Sequence, residues 1–585
     1  MILFSILILI LAMALPSINT YLNSSQISRI TSIVLLYAGV LSFNTIFIQS
    51  IGSGIGIYNG LYHVTVVSQL IEVLLLIVGS LILFAWPLLK TRISSINNVS
   101  ILATETGSGE NNVTNSYNEK EKEYININEY ASEYSIIILF SVLGSSLLLS
   151  SADLISMYLS IELQSFGLYI LASLYRNSEK ATSAGLKYFL LGGLSSCIIL
   201  LGAALIYAFT GLTNFESIYT LSSVSDSNNI IQGLSLGMIL IFVGFLFKIS
   251  AAPLHNWAPD VYDDTPTIVT IWLTIMAKIS IIILLLEFQT QIGFIGGVTS
   301  MFMTSSGFVE IFNNFNSISN SLLEAGNNLV VYPISLLNVE LDSSSVSNGE
   351  NVLKNILLIS SLLSLIIGTV VGLAQTKIKR LLAYSTISHV GFMLLALAIN
   401  TEQSIDSLLF YLIQYTLTNL NLFLIIIALS YVIYDNFKTS DNNRNLKIKD
   451  IKYISDLKGQ FFNNPILSLS LSICLFSMAG IPPFIGFFSK QFVLYSAVQS
   501  GYFFMSIMAI IVSVVSASYY LKIIKVLHTE NETNLNKIET SNEFVLSNNH
   551  SFLISTLTLT ILLFIFKPSL VLNSTQLLSL SLFNF

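Results

Sequence analysis

Long apolar runs alternate with short polar ones along this chain, and most runs approach the about 20 residues that cross about 30 Å of hydrocarbon as a helix. They fall at 1–16, 28–48, 64–89, 134–150, 152–174, 181–207, 231–252, 266–288, 354–374, 379–399, 405–434, 465–497, 501–524 and 551–570. The pattern predicts an all-α integral membrane protein with about 14 transmembrane helices. The first run resembles a signal-peptide core, but no basic segment precedes it and many apolar runs follow, so it reads as the first span.

Two runs carry proline where a helix would otherwise continue. One is Phe247-Lys248-Ile249-Ser250-Ala251-Ala252-Pro253, and the other is Ala479-Gly480-Ile481-Pro482-Pro483, followed by Gly486 and Lys490. Proline removes a backbone donor and disfavours helix in the residue before it, so both runs are expected to break at Pro253 and at Pro482 and Pro483. Broken backbone within a membrane is tolerated only against protein or a wet cavity, and paired interruptions in two halves mark transporter repeats.

Loop charge supports the count, because Lys and Arg gather on one side of a membrane protein. With the runs alternating, nineteen of the 25 Lys and Arg fall on one side, against Lys354 and Lys567 on the other. Both termini then lie on the non-basic side. Composition agrees: 53% of residues are hydrophobic and 10% charged, with a mean hydropathy of +0.76. A soluble domain is about 25% charged. No basic patch with interleaved aromatics suggests nucleic acid. Cys197 and Cys474 lie in apolar runs at no metal or cluster spacing, so no cysteine-ligated cofactor is expected.

Five charges inside the runs stand out: Glu162, Lys187, Lys248, Lys278 and Lys490. A charge at that depth costs a few kcal/mol and marks an ion or proton path by default. Lys278 lies about twelve residues into its run, about 18 Å along a helix, beyond the reach of snorkelling. Glu162 has too short a side chain to reach the surface. Lys248 and Lys490 sit beside the two breaks, whereas Lys187 is close enough to the basic end to snorkel. His389 lies about ten residues inside its helix and titrates in the range useful for proton exchange. For each, a structural ion pair, helix-end contact or satisfied histidine is the competing reading. His255, Trp257 and Asp260 read as an ordered loop at the membrane face.

Three stretches are long enough to carry a family resemblance. Phe247 to Tyr262 with Thr265-Pro266-Thr267, Lys379-Arg380-Leu381-Leu382-Ala383-Tyr384-Ser385-Thr386-Ile387-Ser388-His389, and Gly480 to Lys490 resemble the antiporter-like proton-pumping subunits of respiratory complex I. Ser160-Ile161-Glu162-Leu163, leading into Gln164-Ser165-Phe166-Gly167-Leu168-Tyr169, is similar too. The resemblance implies two inverted five-helix repeats, at 134–288 and 354–528, each with one Pro-broken helix. They are flanked by 1–133, the polar insert 289–353 and the C-terminal 529–585. It also implies that Glu162, Lys248, Lys278 and Lys490, with Lys187 and His389 as additional members, translocate protons driven by quinone reduction elsewhere. NADH, FMN, iron–sulfur clusters and ubiquinone would be bound by partner subunits, with no cofactor in this chain.

The implied partners are other membrane-arm and accessory subunits, together with phospholipids. The implied location is the mitochondrial inner membrane, with the basic loops in the matrix and both termini in the intermembrane space. The alternatives are a subunit of a multi-subunit cation/proton antiporter and a structural subunit without pumping of its own. The polar segments 90–133, 289–353 and 435–464 read as solvated connectors or as docking surface for neighbours.

Overall fold

The computed structural model describes residues 1–15, 24–47, 54–84, 131–176, 178–224, 228–291, 351–438, 450–530 and 547–583. Most of the predicted connectors 90–133 and 289–353 lie outside the described residues. Among the described residues the architecture is helical apart from one small hairpin, in which Ile55–Ile57 pairs antiparallel with Tyr62–Val64.

Each predicted apolar run contains a helix, and among the described residues ten helices are long and apolar enough to cross a membrane. In chain order these and the shorter ones are α1 (Ile2–Ala14), α2 (Ser24–Thr45), α3 (Val66–Phe84), α4 (Ala131–Leu149), α5 (Leu154–Ser173), α6 (Glu179–Thr210) and α7 (Phe215–Val224). Then follow α8 (Asn228–Ile249), α9 (Trp257–Asp264), α10 (Thr267–Gln291), α11 (Asn351–Leu373), α12 (Ile378–Ile399) and α13 (Glu402–Lys438). The last are α14 (Gln460–Asn463), α15 (Pro465–Ala479), α16 (Ile485–Gln499), α17 (Phe503–His528), α18 (Asn548–Leu563) and α19 (Ser569–Phe583).

Local chemistry starts and stops these helices where the run lengths alone leave freedom. Asp153 caps α5, its carboxylate accepting from the Ile155 N–H at 2.8 Å, and Ser178 caps α6 by accepting from Ala181. α6 ends at Gly211 in the left-handed region, the usual helix stop. α10 begins just after Pro266, and Asp450 accepts hydrogen bonds from the Thr267 N–H and hydroxyl, both at 3.0 Å. A carboxylate there satisfies an open donor and complements the helix dipole.

Both expected breaks are present. α8 stops at Ile249, Ser250 takes φ +66°, and the Ala251 N–H closes back on the Leu246 carbonyl at 2.9 Å. α15 stops at Ala479, Gly480 takes φ +85°, and α16 restarts at Ile485, so the 465–497 run is two helices around a turn. The stretch expected to be a loop around Asp260 is instead the two-turn helix α9. Pro259 sits in its first turn, where its missing N–H has no intrahelical partner to lose.

Burial sorts the helices into a core and a perimeter. α10, α12 and α13 are buried at nearly every position, whereas the apolar windows of α6 and α17 are only a third buried and present the rest outward. Perimeter helices here are as apolar as these three, so burial and not hydropathy marks α10, α12 and α13 as the interior. α10 packs against α4, α8 and α13, while α9 is wedged between α6 and α12. α13 also meets α15, α16 and the C-terminal α19, which reaches back to α3.

Candidate functional site

Four of the five charged residues expected in the apolar runs are largely buried within the bundle, on α5, α8, α10 and α16. Lys248, in the last turn of α8, points at α5. Its Nζ lies 3.2 Å from Glu162 Oε1 and donates to Ser165 Oγ at 2.7 Å. Glu162 and Ser165 are three apart on α5 and so share a face. The side chains of Lys248 and Glu162 are 7% and 15% exposed, so the pair is largely withdrawn from solvent. Beside it opens a cavity lined by Gln164, Tyr188, Trp257, Ala277 and Ile281, with room for about one water.

Lys278 lies in the middle of α10, next to Ala277 and three residues before Ile281 of the cavity wall. It is 2% exposed, its Nζ has no hydrogen-bond partner among the described residues, and it lies between the rings of Tyr262 and Tyr415, 5.8 and 5.9 Å from their centroids. Tyr415 is fixed by its hydroxyl, which donates to the Thr274 carbonyl at 3.0 Å. Two aromatic faces supply a partial negative environment for an ammonium, a weaker stabilisation than an anion would give.

His389 of α12 continues the row. Its ring is 6.0 Å from that of Tyr415, its Nδ1 is 2.6 Å from the Tyr411 hydroxyl and its Nε2 is 3.3 Å from the Tyr520 hydroxyl. Tyr411 stacks on Phe392 at 5.8 Å, and Phe392 faces Lys490 Nζ at 5.7 Å. Shared rings therefore join Lys278, His389 and Lys490. Lys490 itself donates to the Met478 and Ala479 carbonyls, both at 2.9 Å. Those are open acceptors at the end of α15, so the break that frees them also creates the lysine's seat.

Lys187 is not in this row. Its side chain is 49% exposed and pairs with Asp260 on α9. The same acid pairs with Arg380, while Asp263 binds Lys377 at 2.6 Å and Lys379 binds Asp450 at 2.6 Å and the Thr265 carbonyl at 2.8 Å. This lattice ties α9 to α6 and α12 at one end of the bundle. Burial raises the Asp450 carboxyl, but the Lys379 ammonium and the two donors of Thr267 outweigh it and hold the group below its ordinary value.

The sequence reading did not single out several participants. Ser165, Tyr262, Tyr411, Tyr415 and Tyr520 look like ordinary span residues until folding sets them against a charge. Glu72, within α3, and the buried Glu287, in the last turns of α10, are further acids inside apolar helices. Their only signal is a carboxylate in an apolar run, the signal that identified Glu162.

Comparison with known proteins fits this geometry. The family described as NADH:quinone oxidoreductase/Mrp antiporter, TM, matches residues 151–324 and 328–516. NADH-ubiquinone oxidoreductase chain 2 of Rhizopus oryzae is 46% identical over 604 aligned positions that cover 100% of both chains. The chain belongs to the NADH:quinone oxidoreductase/Mrp antiporter family. The fold of this family recurs in a chain of respiratory complex I from Thermus thermophilus, with a TM-score of 0.62 at 23% identity over 98% of this chain and 99% of that one. It recurs again in a chain of the Mrp complex from Dietzia sp. DQ12-45-1b, with a TM-score of 0.67 at 15% identity over 100% and 97%. As a family member, the chain is a multi-span antiporter-like membrane protein.

Proposed function

We propose that this chain is a proton-translocating membrane subunit of an NADH:ubiquinone oxidoreductase, driven by quinone reduction elsewhere in the assembly. The observation that carries the reading is the buried row from Glu162 and Lys248 through Lys278 and His389 to Lys490, its later members linked by shared aromatic rings. The full-length similarity to NADH-ubiquinone oxidoreductase chain 2 supports the redox-linked assembly over a cation/proton antiporter.

The chemistry follows from charge compensation. Beside Lys248, the Glu162 carboxylate stabilises an ammonium that is largely removed from water. Moving the carboxylate away leaves that charge uncompensated, a change of several kcal/mol, and favours handing the proton onward. Among the described residues Lys278 has no anion beside it, and the rings of Tyr262 and Tyr415 are what its ammonium faces. His389, with a hydroxyl at each ring nitrogen, can pass a proton between Lys278 and Lys490.

In this reading NADH, FMN, iron–sulfur clusters and ubiquinone are held by partner subunits, and this chain performs no redox step. The segments 134–288 and 354–528 form two inverted repeats around the two broken helices, between the flanking 1–133, 289–353 and 529–585. The protein resides in the mitochondrial inner membrane, with its basic loops in the matrix and its termini opposite. Other membrane-arm and accessory subunits and phospholipids surround it.

Native electrophoresis with an in-gel NADH dehydrogenase stain tests the assembly, and the proton-to-electron ratio of Glu162→Gln in sealed vesicles tests the coupling. Comigration with NADH activity and a lowered ratio are expected. Migration with antiporter subunits lacking NADH activity would replace the reading with the antiporter. Loss of assembly, with full pumping by whatever assembles, would replace it with a structural role.

A further inference from the structure

Two adjacent residues of α5 give the cavity beside Lys248 its polar lining. Ser165 is turned to α8 and accepts from Lys248 Nζ at 2.7 Å, whereas Gln164 is turned to α10, whose wall residues Ala277 and Ile281 bracket Lys278 along the helix. Gln164 is 2% exposed, and its amide meets the hydroxyl of Ser280 on α10, with Nε2 donating to Oγ at 2.9 Å and Oε1 lying 3.1 Å from the same oxygen. Behind it, Gly144 of α4 admits α5 so closely that a Cβ there would lie 2.5 Å from the Gln164 nitrogen, so the backbone beneath the amide is pinned.

A count of donors and acceptors shows what this amide has left over. A glutamine carries two N–H donors and an oxygen with two lone pairs, and the single hydroxyl of Ser280 meets at most one of each. The Ser280 proton is also claimed by the Ala277 carbonyl at 3.1 Å. Among the described residues no other hydrogen bond reaches the Gln164 amide. A buried amide therefore keeps at least one donor and one lone pair open, and it borders a cavity with room for about one water. Buried polar groups are almost always satisfied. Gln164, Ser165 and Lys248 together offer about the three partners that a buried water uses.

We infer that Gln164, clamped by Ser280, is a positioning residue that holds the water through which Lys248 hands its proton to Lys278. This rests on the proton-translocation reading above and adds a residue to it. The step conserves every atom and charge. The Lys248 ammonium gives a proton to the water, and the water gives one to the neutral amine of Lys278. One ammonium has been lost and one gained, the water is unchanged, and no oxidant or reductant takes part. The amide stays neutral throughout; its part is to fix the oxygen of the water beside α10, where Lys278 has no hydrogen-bond partner of its own among the described residues.

The test is the Gln164→Met variant of the assembled complex in sealed vesicles, measured beside Gln164→Glu, Ser280→Ala and Lys278→Ala. Methionine keeps the length of the side chain and removes its polar end, and the Ser280 hydroxyl retains the Ala277 carbonyl, so assembly and NADH oxidation in the presence of an uncoupler stay near wild type. The proton-to-electron ratio falls toward that of Lys278→Ala. Gln164→Glu, which restores an oxygen acceptor on the same frame, recovers most of the loss, as a packing role would not. Ser280→Ala releases the clamp and leaves the cavity wall in place; it lowers the ratio by a smaller fraction and covers the case in which the methionine variant assembles poorly. Beside a lowered ratio in Lys278→Ala, a full ratio in the assembled Gln164→Met variant, or in Ser280→Ala where that variant fails to assemble, overturns the role of Gln164 and leaves the wider reading intact. A loss in Gln164→Met that Gln164→Glu does not recover overturns it too. A full ratio in Lys278→Ala overturns the wider reading itself.

Discussion

At the scale of single residues, the decisive feature is how differently the buried lysines are compensated. Lys248 has a carboxylate, Lys490 has two helix-end carbonyls, and Lys278 has two aromatic faces. The seat of Lys490 depends on Gly480, which holds φ +85° and whose missing Cβ would lie 3.0 Å from the Lys490 Cδ. Gly480→Ala is therefore expected to lower stability by about 1–2 kcal/mol from backbone strain alone. It also displaces the ammonium, so the assembled variant should show a reduced proton-to-electron ratio as well as a lower melting temperature. Gly486→Ala is expected to be harsher, because its Cβ would sit 1.8 Å from the Ser477 carbonyl oxygen, which is backbone and cannot move aside. Loss of the assembled complex on native gels checks it. Of these residues, the lysines were legible in the sequence because charge in an apolar run is rare. The tyrosines around them were not, since a tyrosine in a span signals nothing until a neighbour from a distant helix arrives. Lys187 shows the converse: its depth was consistent with either reading, and Asp260 claims it at the surface.

At the scale of elements, the broken helices were legible because proline acts locally, and the structure adds what each break exposes. α9 was not legible, because Pro259 looks like a breaker unless the helix start is known. Its position between α6 and α12 comes from long-range ion pairs that no local pattern encodes. The Asp450 site gives this element a measurable signature. Its folded carboxyl is held below the ordinary value, so its stabilising effect is complete above the unfolded range near about pH 3.9 and is lost as pH falls through the folded value. Thermal unfolding of the purified complex should weaken on acidification, and Asp450→Asn should flatten that dependence; an unchanged profile would mean the pair is not a stabilising contact. Lys379→Met, which strands the carboxylate, is expected to cost about 3 kcal/mol. The same melting measurement at neutral pH checks this.

At the scale of the whole molecule, the apolar runs anticipated a helix in every predicted span. Their order of burial was hidden, because core and perimeter helices here are similarly apolar. α10 and α12 carry Lys278 and His389 in the interior, while Glu162, Lys248 and Lys490 come from α5, α8 and α16, on the sides of those helices that face the bundle. The row crosses from the Glu162 and Lys248 pair to Lys490 through residues drawn from both halves of the chain. In the proposed reading its role is thus a property of the whole bundle. The most direct measurement is the proton-to-electron ratio of the assembled complex carrying Lys278→Ala, in sealed vesicles oxidising NADH at a rate matched to wild type. The row as a proton path predicts a lower ratio with assembly retained; an unchanged ratio in the fully assembled variant contradicts it.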